Sequence, residues 1–151
     1  MARRGRLPKA KRRKAVKVQV IDKTDSATGH TAEPYSILKL LVNEHHEHLK
    51  TAKIALAWAL GWKGDRDGHV KLGQCRKASD LDRNLHEYDF VILLNSTYWH
   101  QLDTKKKHAL MDHELCHAAV VDEDGSVKLD DQDRKVYRIR KHDVEEFSEI
   151  M

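Results

Sequence analysis

The chain has 151 residues, 40% of them hydrophobic and 34% charged, with 28 Lys or Arg against 24 Asp or Glu. That length suits one domain with a real core and leaves no room for two ordinary ones. No apolar run approaches the roughly 20 residues that span a bilayer, and no apolar stretch follows the basic N-terminus, so neither a membrane anchor nor a secretory signal is expected.

Residues 1–20 hold nine Lys or Arg and no acid, which leaves 19 basic against 24 acidic residues for the remainder, a balance of −5. The positive charge is therefore in a tail. The chain is expected to divide into a basic disordered tail, 1–19, and one domain, 20–151. Arg3, Arg4, Arg6, Lys9, Lys11, Arg12, Arg13 and Lys14 have almost nothing apolar beside them to bury. Such a run could contact nucleic acid phosphates by counterion release, or serve only as a solubilising terminus. No aromatic residue is interleaved to stack on bases. Val16, Val18 and Val20 then alternate with polar residues as in a short strand, and Asp22 to Glu33 is turn-like.

Pro34 suits the first turn of a helix. From there to Leu60, apolar residues recur at spacings of three and four, which predicts the longest helix, with Gly61 as its terminator. In this helix His45 would fall on the apolar stripe, and His46 would point away. His45, His46 and His48 are expected as a solvated or core-edge cluster, because no nearby carboxylate or Cys completes a recognised ligand spacing.

Gly64 to Gly68 reads as a turn, Val70 to Cys75 as a strand, and Ser79 as the cap of a short segment through Leu85. Asp89 to Asn95 is a continuous β-rich apolar run and the best strand in the sequence, expected to be central. Tyr98, Trp99 and Leu102 form an apolar patch. Thr104 is expected to cap a helix from about Lys105 to Val120, although Lys105, Lys106 and Lys107 oppose its macrodipole.

That last helix carries His113-Glu114-Leu115-Cys116-His117. A helix advances about 100° per residue, so histidines four apart lie about 40° apart on one face and can chelate one metal ion. Glu114 falls on the neighbouring face, within reach of a water activated there, as in the His-Glu-x-x-His signature of zinc peptidases. The helix is apolar around most of its circumference, which places the polar trio inside. An unpaired polar group costs about 2–7 kcal/mol there, and a divalent metal removes that cost for all three together. Cys116 is read as a packing residue. Cys75 and Cys116 are expected to be reduced thiols of a cytosol, although they could pair if the fold brought them together, and two Cys cannot make a four-thiolate zinc site.

Asp122-Glu123-Asp124-Gly125 reads as a solvated hairpin turn, since its spacing does not match a calcium loop. Val120-Val121 and the alternating Val136, Tyr137 and Ile139 suggest a small antiparallel element that carries the chain back toward the metal. A catalytic zinc needs three protein ligands. His142, which lies 25 residues after His117 at the mouth of an expected final helix, Asp143 to Met151, is the chosen third ligand. Asp143, Glu145 and Glu146 are its rivals. Asp143 could equally cap that helix, and Glu145 or Glu146 could orient a ligand imidazole.

The strand, Leu-Met-Asp-His-Glu-Leu-Cys-His, the acidic loop and Arg-Ile-Arg-Lys-His-Asp-Val-Glu-Glu-Phe together resemble the phage metallopeptidases, small zincin-like proteins encoded by bacteriophages and some microbes. The similarity covers roughly Pro34 to the C-terminus. It implies an α+β, zincin-like minimal metallopeptidase domain, with a small mixed sheet packed on a long N-terminal helix and a buried active-site helix. It also implies His113, His117 and His142 as ligands of one Zn²⁺ per chain and Glu114 as general base. The chain is similar as well to the SprT-like metalloproteases, some of which act on DNA-bound proteins. It lacks their compact downstream His pattern and zinc ribbon, so that substrate class does not carry over.

The expectation is a zinc-dependent peptidase acting on a protein or peptide in the cytoplasm, that of the host cell if phage-encoded. An edge strand such as Val70 to Cys75 could hold the substrate extended, and Tyr98 and His100 are candidates for oxyanion support. Two other classes stay open: a nucleic-acid-associated binding protein with a basic tail and a structural metal, and a metal-stabilised scaffold without turnover.

Overall fold

A computed structural model describes residues 17–141 and 148–150. The basic run of residues 1–16 and the candidate residues His142, Asp143, Glu145 and Glu146 lie outside the described residues. The centre of the fold is a four-stranded mixed sheet ordered β1 (Lys17–Val20), β2 (Ile54–Leu60), β5 (Phe90–Asn95), β4 (Gly73–Lys77). β2 and β5 run parallel with Ile54 opposite Phe90, and β1 and β4 are antiparallel to their neighbours. β1 thus begins inside the segment read as tail. The expected central strand is central, and its Phe90, Ile92 and Leu94 are fully buried.

The two faces of the sheet differ. Phe90, Ile92, Leu94 and Leu56 join the main core with Leu38 and Leu41 of helix α1 (Glu33–His45) and Leu110, Met111 and Leu115 of helix α4 (Thr104–His117). Ala57, Ala59 and Leu93 form a thinner layer on the other face, with Trp62 against them. α1 and α4 touch, fastened at one point by Lys107 Nζ donating to both Glu33 oxygens at 2.9 and 3.1 Å. Trp99 Nε1 also donates to Glu33 at 3.2 Å. Burial pulls the Glu33 pKa up, but the Lys107 and Trp99 hydrogen bonds outweigh it and hold the carboxyl below its ordinary value.

Several expectations need correction. The helix expected from Pro34 to Leu60 ends at His45; a short 3₁₀ turn, Glu47–Leu49, follows, and the rest is strand β2. Ala55, Ala57 and Ala59 give Ile54–Leu60 an alternating pattern, and pairing with β5 decides in favour of a strand. Gly61, at φ 86°, ends that strand and not a helix. The predicted strand Val70 to Cys75 is broken at Leu72 into β3 (His69–Lys71) and β4. The N-cap of α4 is Asp103, whose Oδ1 accepts the Lys106 N–H at 2.8 Å, and Thr104 is the first helical residue. The end of the chain was expected as helix, yet Ser148–Ile150 is a strand, β10, antiparallel to β3.

Other local readings agree with the structure. Ser79 Oγ accepts the Asp82 N–H at the start of α2 (Asp80–His86). Trp99 at the end of α3 (Ser96–Trp99) is buried. The acidic loop is a hairpin of β7 (Asp122–Glu123) and β8 (Ser126–Val127), with Asp124 and Gly125 both at positive φ, the turn that matches strand twist. Among the described residues no helix is long and apolar enough to cross a membrane.

Candidate metal centre on α4

α4 stops at His117 because Ala118 adopts an extended conformation, φ −82° and ψ 121°. The expected continuation to Val120 is instead strand β6 (Ala118–Val120), paired antiparallel with β9 (Tyr137–Ile139). The return element expected from Val120-Val121 and from Val136, Tyr137 and Ile139 overlaps this pair only at Val120 and in β9, and the pair brings the chain back at a specific atom. The ladder continues one step further: Arg140 N–H donates to the His117 carbonyl at 2.6 Å, and His117 Nδ1 lies 2.6 Å from the Arg140 carbonyl. A ring nitrogen facing a carbonyl must carry the proton, so in the neutral imidazole Nε2 is the lone-pair nitrogen. A backbone carbonyl that orients a histidine in this way is typical support for a metal ligand.

His117 Nε2 stands 3.3 Å from His113 Nε2, with the rings at 80°. Two nitrogens each about 2.0–2.1 Å from a tetrahedral zinc would be about 3.4 Å apart. The pair therefore fits a zinc-class cation, and the His–carbonyl contact leaves the correct nitrogen facing it. His117 and Glu114 are buried, and His113 is half-buried.

Glu114 is only 2% exposed. It sits against Gly73 of β4, where a side chain would meet its carboxylate. Cys75, two residues along the same face of β4, feels the same environment: burial first, then the Glu114 charge, push its thiol up to about 12. Gly73, Gln74, Cys75, Glu114, His117, Ile139 and Lys141 line a cavity of about 210 Å³. The edge strand that the sequence offered for substrate is thus the one beside Glu114. Gly73 and Lys141 were not singled out from sequence, since only the tertiary approach of β4 and β9 to α4 gives them a role. A larger hollow of about 520 Å³ around Arg83 and Lys135 is not part of this cluster. Arg83 there is taken up by Asp89 Oδ1 at 2.9 Å and the Lys135 carbonyl at 3.0 Å.

Tyr98 and His100 do not line the cavity beside Glu114. His100 packs against Trp58 with ring centroids 5.2 Å apart. The histidines at the end of α1 are also placed differently from expectation. His45 is exposed, whereas His46 is buried, with its Nε2 2.7 Å from Asp112 Oδ1. The helix ends between them: His46, at φ −129° and ψ 56°, is turned toward α4 instead of continuing the helical rotation.

An α+β domain with two histidine Nε2 atoms 3.3 Å apart and a buried carboxylate on one helix is a candidate metal-dependent hydrolase. The chain belongs to the family described as "Putative phage metallopeptidase", whose model matches residues 29–151. No curated protein and no solved structure matches it.

Proposed function

We propose that this chain is a zinc-dependent peptidase in which His113, His117 and His142 hold one Zn²⁺ and Glu114 is the general base. The observation that carries this reading is the pair of Nε2 atoms 3.3 Å apart, one of them fixed from behind by the Arg140 carbonyl, beside a buried carboxylate that lines the adjoining cavity. When bound, the metal supplies Lewis acidity, lowering the pKa of water toward about 7 and polarising a carbonyl. Glu114 takes the proton of the attacking water on a carboxylate oxygen and passes it to the leaving amine nitrogen.

The surrounding residues position that exchange. Burial between α4 and β4 holds the Glu114 carboxylate in place without further reorganisation. β4 ends the sheet order among the described residues, and Gly73, Gln74 and Cys75 line the cavity. An extended peptide can add to that edge by main-chain hydrogen bonds. Lys141 lines the same cavity and immediately precedes the segment that holds the proposed third ligand His142 and its rivals Asp143, Glu145 and Glu146.

Chelation followed by metal return tests the reading. Cleavage of an unstructured protein such as casein should be lost when the protein is stripped and recover on addition of Zn²⁺. Cleavage that persists in metal-free protein would overturn it. His142→Ala should weaken zinc affinity by about 10-fold or more, whereas an unchanged affinity would move the third-ligand role to a carboxylate.

A further inference from the structure

α4 carries a second pair of ligand-type side chains one turn apart. Asp112 and Cys116 repeat the i, i+4 spacing of His113 and His117, rotated by one residue and so by about 100° around the helix. A third donor comes from outside the helix: buried His46, at the end of α1, has Nε2 2.7 Å from Asp112 Oδ1. One ligand atom from each of His46, Asp112 and Cys116 lies within 4.8 Å of the other two. We propose that these three side chains form a second cation site, separate from the histidine pair, that takes a zinc-class divalent ion and ties the end of α1 to α4.

The donor set decides the class of ion. An imidazole, a thiol and a single carboxylate suit zinc and its borderline neighbours, whereas magnesium and calcium favour sites made of oxygen. Access is open, because the Asp112 side chain is 44% exposed while His46 is 7%. The ion has both a way in from solvent and a buried anchor. Its effect on the fold follows from connectivity. α1 and α4 are already joined near their starts by Glu33 and Lys107. A shared ion would reinforce the second tie that the His46–Asp112 contact makes between them, beside the helical turn that presents His113 and His117.

Cobalt separates the two sites, because thiolate bound to Co²⁺ gives a charge-transfer absorption in the near ultraviolet that histidine and carboxylate ligands do not. Reduced protein titrated with Co²⁺ alone should show this band. It should persist in the His113→Ala/His117→Ala double variant and disappear in Cys116→Ser and in His46→Gln, with circular dichroism confirming that each variant is folded. Wild type and the double variant should also gain Tm on Zn²⁺ addition, a gain that Cys116→Ser loses in part or whole. Absence of the band at saturating Co²⁺ would overturn the proposal and leave His46 and Asp112 as a hydrogen-bonded pair. A band that survives Cys116→Ser, or that vanishes with the His113 and His117 substitutions, would overturn it as well.

Discussion

Gly73 of β4 lies directly against the Glu114 carboxylate: a methyl group built on Gly73 would stand 3.0 Å from Glu114 Oε2 and 3.2 Å from its Cδ and Cγ. Glu114 is buried apart from the cavity it lines, so its carboxylate can yield only toward that cavity. Gly73→Ala should therefore displace the carboxylate by a few tenths of an ångström and lower peptide hydrolysis on the order of tenfold, with zinc content unchanged. Steady-state kinetics beside metal analysis checks this. Full activity in Gly73→Ala would show that the position of Glu114 is not critical.

Leu115 lies between Glu114 and Cys116 and is 0% exposed, packed in the main core. Leu115→Ala should cost about 2–5 kcal/mol of stability through lost burial and the cavity left behind. Urea unfolding measures it. A cost below about 1 kcal/mol would mean that this face of α4 is not packed as described.

Asp103 and Thr104 make a paired comparison at the start of α4. Asp103 accepts the Lys106 N–H, so Asp103→Ala should cost about 1 kcal/mol. Thr104→Ala should change stability far less. The reverse order would restore Thr104 as the cap.

The sequence made local signals legible and tertiary ones only in part. The Ser79 cap, the hairpin around Gly125 and the apolar strand ending at Asn95 depend on neighbours in the chain and were readable. Ile54–Leu60 was not: large and small apolar residues alternate there, which fits the back of a helix as well as a strand, and β5, far along the chain, settles it. The same limit explains Ala118–Val120, helical by composition and drawn into a ladder by Tyr137–Ile139. In the candidate site, the histidine spacing was readable because both His113 and His117 lie on one helix. The carbonyl of Arg140, the approach of Gly73 and the inward turn of His46 depend on chain segments meeting, and no spacing encodes them.

The Cys75 thiol gives a prediction in pH. Burial, with the Glu114 charge second, raises its pKa from 9.0 to about 12. The folded state then keeps a proton that the unfolded chain releases above about pH 9. The sign follows: stability from this group is complete below pH 9 and is lost as pH rises from there toward about 12. Cys75→Ala should flatten that loss in denaturant midpoints measured across the range. Alkylation of Cys75 in folded protein at pH 8 should be slow, and rapid alkylation would contradict the raised pKa of its thiol.

Glu114→Gln probes the central claim most directly, because it removes the base while keeping the shape of the side chain. Hydrolysis of a peptide substrate should fall by about 10²–10⁴-fold while the zinc bound per chain stays at the wild-type level. Cleavage that continues at the wild-type rate with zinc fully bound would contradict the assignment of Glu114 as the base.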